Sequence, residues 1–379
     1  MKTEVKFIHT SDWQLGMTRH FLSVEAAARF SQARIDAITT LGSLASSHKA
    51  KFIIVSGDVF ESNQISRETL ARTIDALKKL PVPVFLLPGN HDPLDGSSIF
   101  ATSEFEKASE NIIVLKDFDP VQVPGVPDIE VVGAPWKSKR PTSDLCADLA
   151  DSLERADGVV RIAVAHGQID TLSPDKNKPE LIQLTDAEKA LDDGKFHYLG
   201  LGDRHSVKSI GDTGKIWYSG APVATDFVED DPNKALLVDA HDDGTCSVEP
   251  LSVGSWKFVR QIFPMNSAED LVLFRNWLDS LETPELAILK IGFEGSVSLK
   301  VAAELDELLE RDAVRFASLK LWKRKTDLVK VPDELDEDSV SLSGYAKATW
   351  VELLEATKAG DDEAQDALTL LFRLSDRMT

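Results

Sequence analysis

Four short polar clusters carry side chains that could do chemistry together: Ser11-Asp12-Trp13-Gln14, Gly57-Asp58-Val59-Phe60, Gly89-Asn90-His91-Asp92 and His166-Gly167-Gln168. A fifth, Leu201-Gly202-Asp203-Arg204-His205, adds another carboxylate and another imidazole. Carboxylate and amide oxygens mixed with imidazole nitrogens suit hard to borderline divalent cations such as Mn²⁺, Fe²⁺ or Mg²⁺. The two cysteines, Cys146 and Cys246, lie outside these clusters, which argues against a structural zinc site. The donors outnumber what one ion usually takes from protein, and a carboxylate can bridge two ions about 3.5–4 Å apart, the spacing used for in-line attack on phosphorus. Two divalent metal ions are expected, Mn²⁺ foremost.

Singly, each residue has a plainer use. Asp12 and Asp58 could cap helices, Asn90 beside Gly89 could make a turn, His166 could be a hydrogen-bonded structural histidine, and Asp203 could serve only a turn. The joint occurrence outweighs these uses, because four of the clusters directly follow apolar, strand-like runs.

Those runs are Val5 to Ile8, Phe52 to Val55, Val84 to Leu87, Ile112 to Leu115, Val131 to Gly133, Ile162 to Ala165 and Tyr198 to Leu201. Helical spacing of apolar residues over Val24 to Leu44 and Arg67 to Leu80 gives a βαβαβ beginning. Open α/β sheets gather loops at the carboxyl ends of strands, so distant clusters can share one crevice. Beyond Gly202, short strands are expected at Lys215 to Tyr218, Ala235 to Val238 and Cys246 to Leu251. A second βαβαβ unit follows, with strands at Phe258 to Phe263, Leu286 to Gly292 and Val314 to Leu321 and helices near Ala268 to Leu281 and Leu299 to Glu310. Val331 to Asp338 reads as an acidic linker before two helices, Gly344 to Thr357 and Asp362 to Leu374, whose apolar faces predict a hairpin that docks on something. The expected division is residues 1–252, 253–330 and 331–379.

The five clusters, in this order, resemble the motifs of the calcineurin-like metallophosphoesterases, and the first motif with the chain plan is most similar to the SbcD-like nuclease subunits of bacterial DNA repair complexes. The resemblance implies an α/β fold: a β-sandwich core flanked by helices, a small α/β cap domain and a C-terminal helical hairpin. It implies Asp58 as a bridging carboxylate, Asp12 and His205 on a first metal, and Asn90 and His166 on a second. His91 becomes the catalytic histidine, protonating the leaving oxygen or stabilising charge on the phosphoryl group, with Asp92 orienting it by a hydrogen bond. The family usually has His where this chain has Gln14 and Asp203. Both can still ligate through oxygen, which favours harder ions. Arg19 and His20 are candidates for phosphate contact, and Tyr218 lies in a loop similar to one beside the family's site.

Composition limits the partners. With 42 basic and 63 acidic residues the formal net charge is −21, which argues against a protein that holds nucleic acid by a broad basic surface. From Asp333 onward acids outnumber bases by about three to one. Lys320, Lys323, Arg324 and Lys325 around Trp322 form the only compact basic group with an aromatic interleaved. It reads as a DNA contact or as the lysine guard of a strand edge. The resemblance implies DNA as substrate, exonuclease or endonuclease action in DNA repair and recombination, a coiled-coil ATPase of SbcC type as partner, and a homodimer. A small-molecule or nucleotide phosphoesterase, and a weakly catalytic scaffold coupling an ATPase to DNA, are the alternatives. Two cysteines, no long apolar run and no signal-like start lead to an expected cytoplasmic location and no membrane contact.

Overall fold

The computed structural model describes residues 4–331 and 342–376. The chain divides into two compact units, 1–256 and 257–379.

In the first unit, β1 (Glu4–Thr10), β2 (Ile53–Val55), β3 (Val84–Leu86) and β4 (Ile112–Val114) run parallel, and β11 (Lys234–His241) and β12 (Cys246–Ser252) extend the sheet antiparallel beside β1. The second sheet has the order β5-β6-β7-β8-β10-β9, made of β5 (Val121–Gln122), β6 (Ile129–Ala134), β7 (Val160–His166), β8 (Tyr198–Gly202), β9 (Val207–Ile210) and β10 (Ile216–Ser219). Side chains alternate between faces along a strand. Accordingly, Phe7, Ile54 and Phe85 join Val131, Ile162, Val164 and Tyr198 in one core between the sheets, whereas Ile8, Ile53, Val55, Val84 and Leu86 face a helix layer. The result is a two-sheet sandwich flanked by helices.

Helix α1 (Val24–His48) buries Phe30, Arg34, Ala37, Ile38, Leu41 and Ala45 on one face. Ser23 caps it by accepting from the Ala26 N–H, and Lys49 closes it in the left-handed region. Helix α2 (Arg67–Leu77) is capped by Ser66 and buries Leu70, Ile74 and Leu77. Neither Asp12 nor Asp58 caps these helices, so their plainer reading is not the one the fold uses. Two short helices, α3 (Ser103–Glu106) and α4 (Leu145–Ser152), and α5 (Leu184–Asp192) complete the unit; α4 and α5 cover the outer face of the second sheet through Leu149, Ala187 and Leu191. A fully buried Leu, Ile or Phe contributes about 2 kcal/mol, so truncating Phe7 at the sandwich centre costs about 4 kcal/mol.

The second unit centres on β14 (Ala287–Ser298). Strands β13 (Lys257–Pro264), β15 (Ser318–Leu321) and β16 (Asp327–Val331) all pair with it in parallel. Helices α6 (Ala268–Asp279) and α7 (Leu299–Asp312) cover one face with Leu271, Phe274, Leu278, Leu305 and Leu308. The strand expected from Val314 begins only at Ser318, because Ala313–Arg315 form a 3₁₀ turn in which Arg315 bonds Asp279 and Asp312. Helices α8 (Gly344–Lys358) and α9 (Asp362–Asp376) pair through Trp350, Leu354 and Leu368, so their apolar residues largely bury one another. The expected acidic linker lies, beyond Val331, outside the described residues.

Candidate metal centre

The polar clusters follow strands of both sheets, and backbone conformation aims them. Asp12, Gln14 and Asp58 have φ of 53°, 44° and 53°, and Asp203 has φ of 95°. Such values are uncommon outside glycine and occur where surrounding structure enforces them. Here the enforcement is visible: the N–H groups of Asp12 and Gln14 donate to the carbonyls of Gly57 and Asp58, locking the first loop to the second.

Glycines make room for the ligating groups. A Cβ at Gly57 would lie 2.2 Å from His166 Nδ1, one at Gly89 2.2 Å from Asp58 Oδ1, and one at Gly202 1.9 Å from the Ser56 carbonyl and 2.8 Å from His166 Nδ1. The fold thus presses β2, β3, β7 and β8 loops together at a point where only backbone fits between side chains.

Asp12, Asp58 and His166, all buried, each place one ligand atom within 4.8 Å of the others. His166 Nδ1 donates to the Ser56 carbonyl at 2.8 Å, leaving Nε2 2.7 Å from Asn90 Oδ1 and 3.4 Å from Asp58 Oδ2. Burial alone would lower the His166 pKa, yet the Asp58 carboxylate outweighs it and lifts the value to about 10. Burial would raise the Asp58 pKa, and His166 reverses that to a net lowering. Asp12 is pushed up, chiefly by burial. Its carboxylate accepts from Ser11 Oγ at 2.5 Å and from the Asp203 N–H at 3.2 Å. His205 Nε2 lies 3.7 Å from Asp12 Oδ1 and 3.4 Å from Gln14 Nε2.

The fit to divalent cations rests on two observations. Gln14 Oε1 is buried with no hydrogen-bond partner, an expensive state for an amide oxygen unless a cation faces it. The concentration of buried acid that holds a proton on His166 is also the charge a divalent ion would neutralise. Asp12, Gln14, Asp58, Asn90, His166 and His205 could therefore hold two metals, supplying oxygen and nitrogen only. Asp203 differs: it stands outside the close cluster of Asp12, Asp58 and His166, burial chiefly pushes its carboxyl pKa up, and its backbone N–H serves Asp12.

His91 is half-buried, with Nε2 3.9 Å from Asp58 Oδ2 and its backbone N–H on Asp58 Oδ1 at 2.9 Å. Asp92 does not make the hydrogen bond expected of it. His91 Nδ1 pairs instead with the Glu61 carbonyl at 2.9 Å, and Asp92 accepts from the Phe60 and Gly89 N–H groups at 2.9 and 2.8 Å. Asp92 so ties the second loop to the third, and burial together with the Asp58 charge raises its pKa to about 7. Of the expected substrate contacts, Arg19 donates to the Thr225 carbonyl and His20 is exposed. The Tyr218 hydroxyl is buried, accepting from the Ile169 N–H and donating to the Gly167 carbonyl, so it braces the loop after His166.

Three contributors were not evident in the sequence. Trp136 donates to the His166 carbonyl at 2.7 Å, Arg34 donates from α1 to the Trp13 carbonyl at 3.0 Å, and Glu229 meets His205 at 3.0 Å. Each sits far from the clusters in sequence and has no distinguishing local pattern.

A sandwich of two mixed sheets with such a donor set at its loops defines a metallophosphoesterase fold. Residues 5–242 match the calcineurin-like phosphoesterase family, and the chain belongs to that family, whose members are metal-dependent phosphoesterases. It is similar to the SbcD component of the SbcCD nuclease of Escherichia coli (strain K12), with 26% identity over 280 residues covering 66% of this chain and 68% of that protein. Among solved structures, a dimetal phosphatase from Danio rerio shares 9% identity at a TM-score of 0.40, covering 66% of this chain and 98% of that one. A 5'-nucleotidase precursor from Thermus thermophilus shares 13% at a TM-score of 0.40, covering 66% and 55%. No helix among the described residues is long and apolar enough to cross a membrane.

Proposed function

We propose that this chain is the phosphodiesterase subunit of an SbcCD-like nuclease, cleaving DNA with two divalent cations, Mn²⁺ foremost, and working as a homodimer with a coiled-coil ATPase of SbcC type. The observation that carries the reading is the convergence of Asp12, Gln14, Asp58, Asn90, His166 and His205 around buried acid. Bound there, the cations would supply Lewis acidity to a phosphoryl oxygen. The chain's own residues do the rest: His91, beside but not inside the donor cluster, offers a proton to the leaving oxygen, and the Glu61 carbonyl on Nδ1 fixes its ring.

Support for DNA rather than a small ester comes from the similarity to the SbcD component of the bacterial nuclease and from a cationic row on the second unit. Strand register aligns Arg260, Lys290 and Lys320 across β13, β14 and β15. Arg260 and Lys290 both stand over the Trp322 ring, at 5.7 and 5.4 Å, with Lys323–Lys325 in the turn that follows. Cations beside a ring suit backbone contact and base stacking. For the ATPase, Tyr345, Leu370 and Leu374 remain exposed on the helical pair and are the residues we assign to contact.

The test is Mn²⁺-dependent cleavage of long duplex DNA by the chain with its ATPase, compared with His91→Ala. Cleavage lost in the variant supports the reading. Hydrolysis of nucleotides without any cleavage of DNA would favour the small-ester alternative. Silence of both proteins with ATPase binding intact favours a scaffold, the outcome that Gln14 and Asp203, standing where the resemblance expects histidine, make worth testing.

A further inference from the structure

Two imidazoles in the centre are held by chemically different partners. His166 Nδ1 faces a neutral carbonyl, that of Ser56. His205 Nδ1 lies 2.6 Å from Thr225 Oγ1 and 3.0 Å from Glu229 Oε1. The Thr225 hydroxyl donates to Glu229 Oε1, so it accepts from the ring, and Nδ1 carries the proton. Nε2 is then left as the donor atom turned towards Gln14 and Asp12.

Glu229 is built into place. Its side chain is only 3% exposed, and its carboxylate collects the N–H groups of Thr225 and Asp226 at 2.9 and 3.1 Å. The loop that bears it is fastened from outside: Arg19 donates to the Thr225 carbonyl, and buried Arg34 reaches the Ala224 carbonyl at 3.5 Å and the Trp13 carbonyl at 3.0 Å. Arg34 thus spans the loop carrying Gln14 and the loop carrying Glu229. That is the half of the centre where a neutral amide, the weaker donor, stands at position 14.

We propose that Glu229 is a positioning residue for His205, locking its ring with Nε2 toward the metal and strengthening that nitrogen as a donor, so that a carboxylate behind one ligand offsets the weak amide of Gln14. The proposal rests on the two-metal reading above. A carboxylate hydrogen-bonded to the far nitrogen of a ligating histidine fixes its tautomer and raises its basicity, and its loss typically costs about 10–100-fold in metal affinity.

The experiment is calorimetric titration of the full chain with Mn²⁺, alongside ¹⁵N NMR of the histidine rings. Glu229→Gln keeps the shape and an acceptor oxygen but removes the charge. The expected result is two Mn²⁺ sites in the parent, with one weakened about 10–100-fold in the variant and the other unchanged. The ¹⁵N spectra of the same variant should show the His205 ring altered and the His166 ring unchanged, a split that a merely structural role for Glu229 would not produce. Should Glu229→Gln fail to fold, Glu229→Asp, with its shorter arm, is expected to show the same one-site weakening and a changed His205 tautomer population. Unaltered binding at both sites, or equal weakening of both, overturns the role of Glu229 while leaving the two-metal centre standing. A parent chain that takes up no Mn²⁺ overturns that centre, and this inference with it.

Discussion

The two halves of the candidate metal centre are secured by different means. Around Asp58, Asn90 and His166 the fold uses close approach: Gly57, Gly89 and Gly202 admit backbone where no Cβ fits, and His166 hydrogen-bonds a main-chain carbonyl. Around Asp12, Gln14 and His205 it uses charge: Glu229 stands behind the histidine, and Arg19 and Arg34 hold the surrounding carbonyls. Steric packing gives a site little latitude for change, because interiors are close-packed and deform reluctantly. A half held by side-chain electrostatics can exchange one donor for another, and the neutral amide of Gln14 stands in that half.

This contrast can be broken or sharpened. The largest expected effect is on turnover. His91→Ala should reduce phosphodiester hydrolysis by about 10²–10⁴-fold with Mn²⁺ uptake intact; loss of a metal by calorimetry would instead move His91 into the ligand set. Next comes the sterically held half. Gly202→Ala drives a methyl into the Ser56 carbonyl and His166, and should cost about 3 kcal/mol in urea denaturation and displace His166.

A pH effect tests the sandwich beneath both halves. His9 is buried between the sheets, with Nδ1 2.8 Å from the Tyr198 hydroxyl and Nε2 3.2 Å from the Leu201 carbonyl. Burial lowers its pKa from 6.5 to about 3. The unfolded chain therefore gains a proton below 6.5 that the folded chain refuses until about 3. The stability is present above pH 6.5 and drains away as pH falls through that window, by about 2 kcal/mol at pH 5. Comparing denaturation with His9→Gln at pH 7 and pH 5 isolates it: the gap between the proteins should narrow on acidification, and parallel curves would refute the assignment. The smallest effect concerns the electrostatic half, where Gln14→His should tighten one Mn²⁺ by on the order of tenfold, about 1.4 kcal/mol, and leave the other unchanged in the same titration.

Much of this was legible along the chain. Parallel strands buried on both faces read as apolar runs, and the clusters after Val5 to Ile8, Phe52 to Val55, Val84 to Leu87 and Ile162 to Ala165 do follow strands. Two small strands were not legible: β5 has two residues, and β9 carries Lys208 and Ser209 outward. Strand β14 runs on to Ser298, beyond the expected Gly292, because β16 pairs with its second half, a long-range partnership without local signature.

The sequence by itself determined the inventory: which side chains can bind a metal, that sulfur is not among them, and that they follow strands. It could do so because residue chemistry and hydrophobic period are local properties. Only the tertiary structure decided that Asp92 ties two loops together rather than orienting His91, that Gln14 has an oxygen in want of a partner, and that Glu229 stands behind His205. Those facts depend on distances between residues far apart in the chain, and such distances exist only once the two sheets have packed.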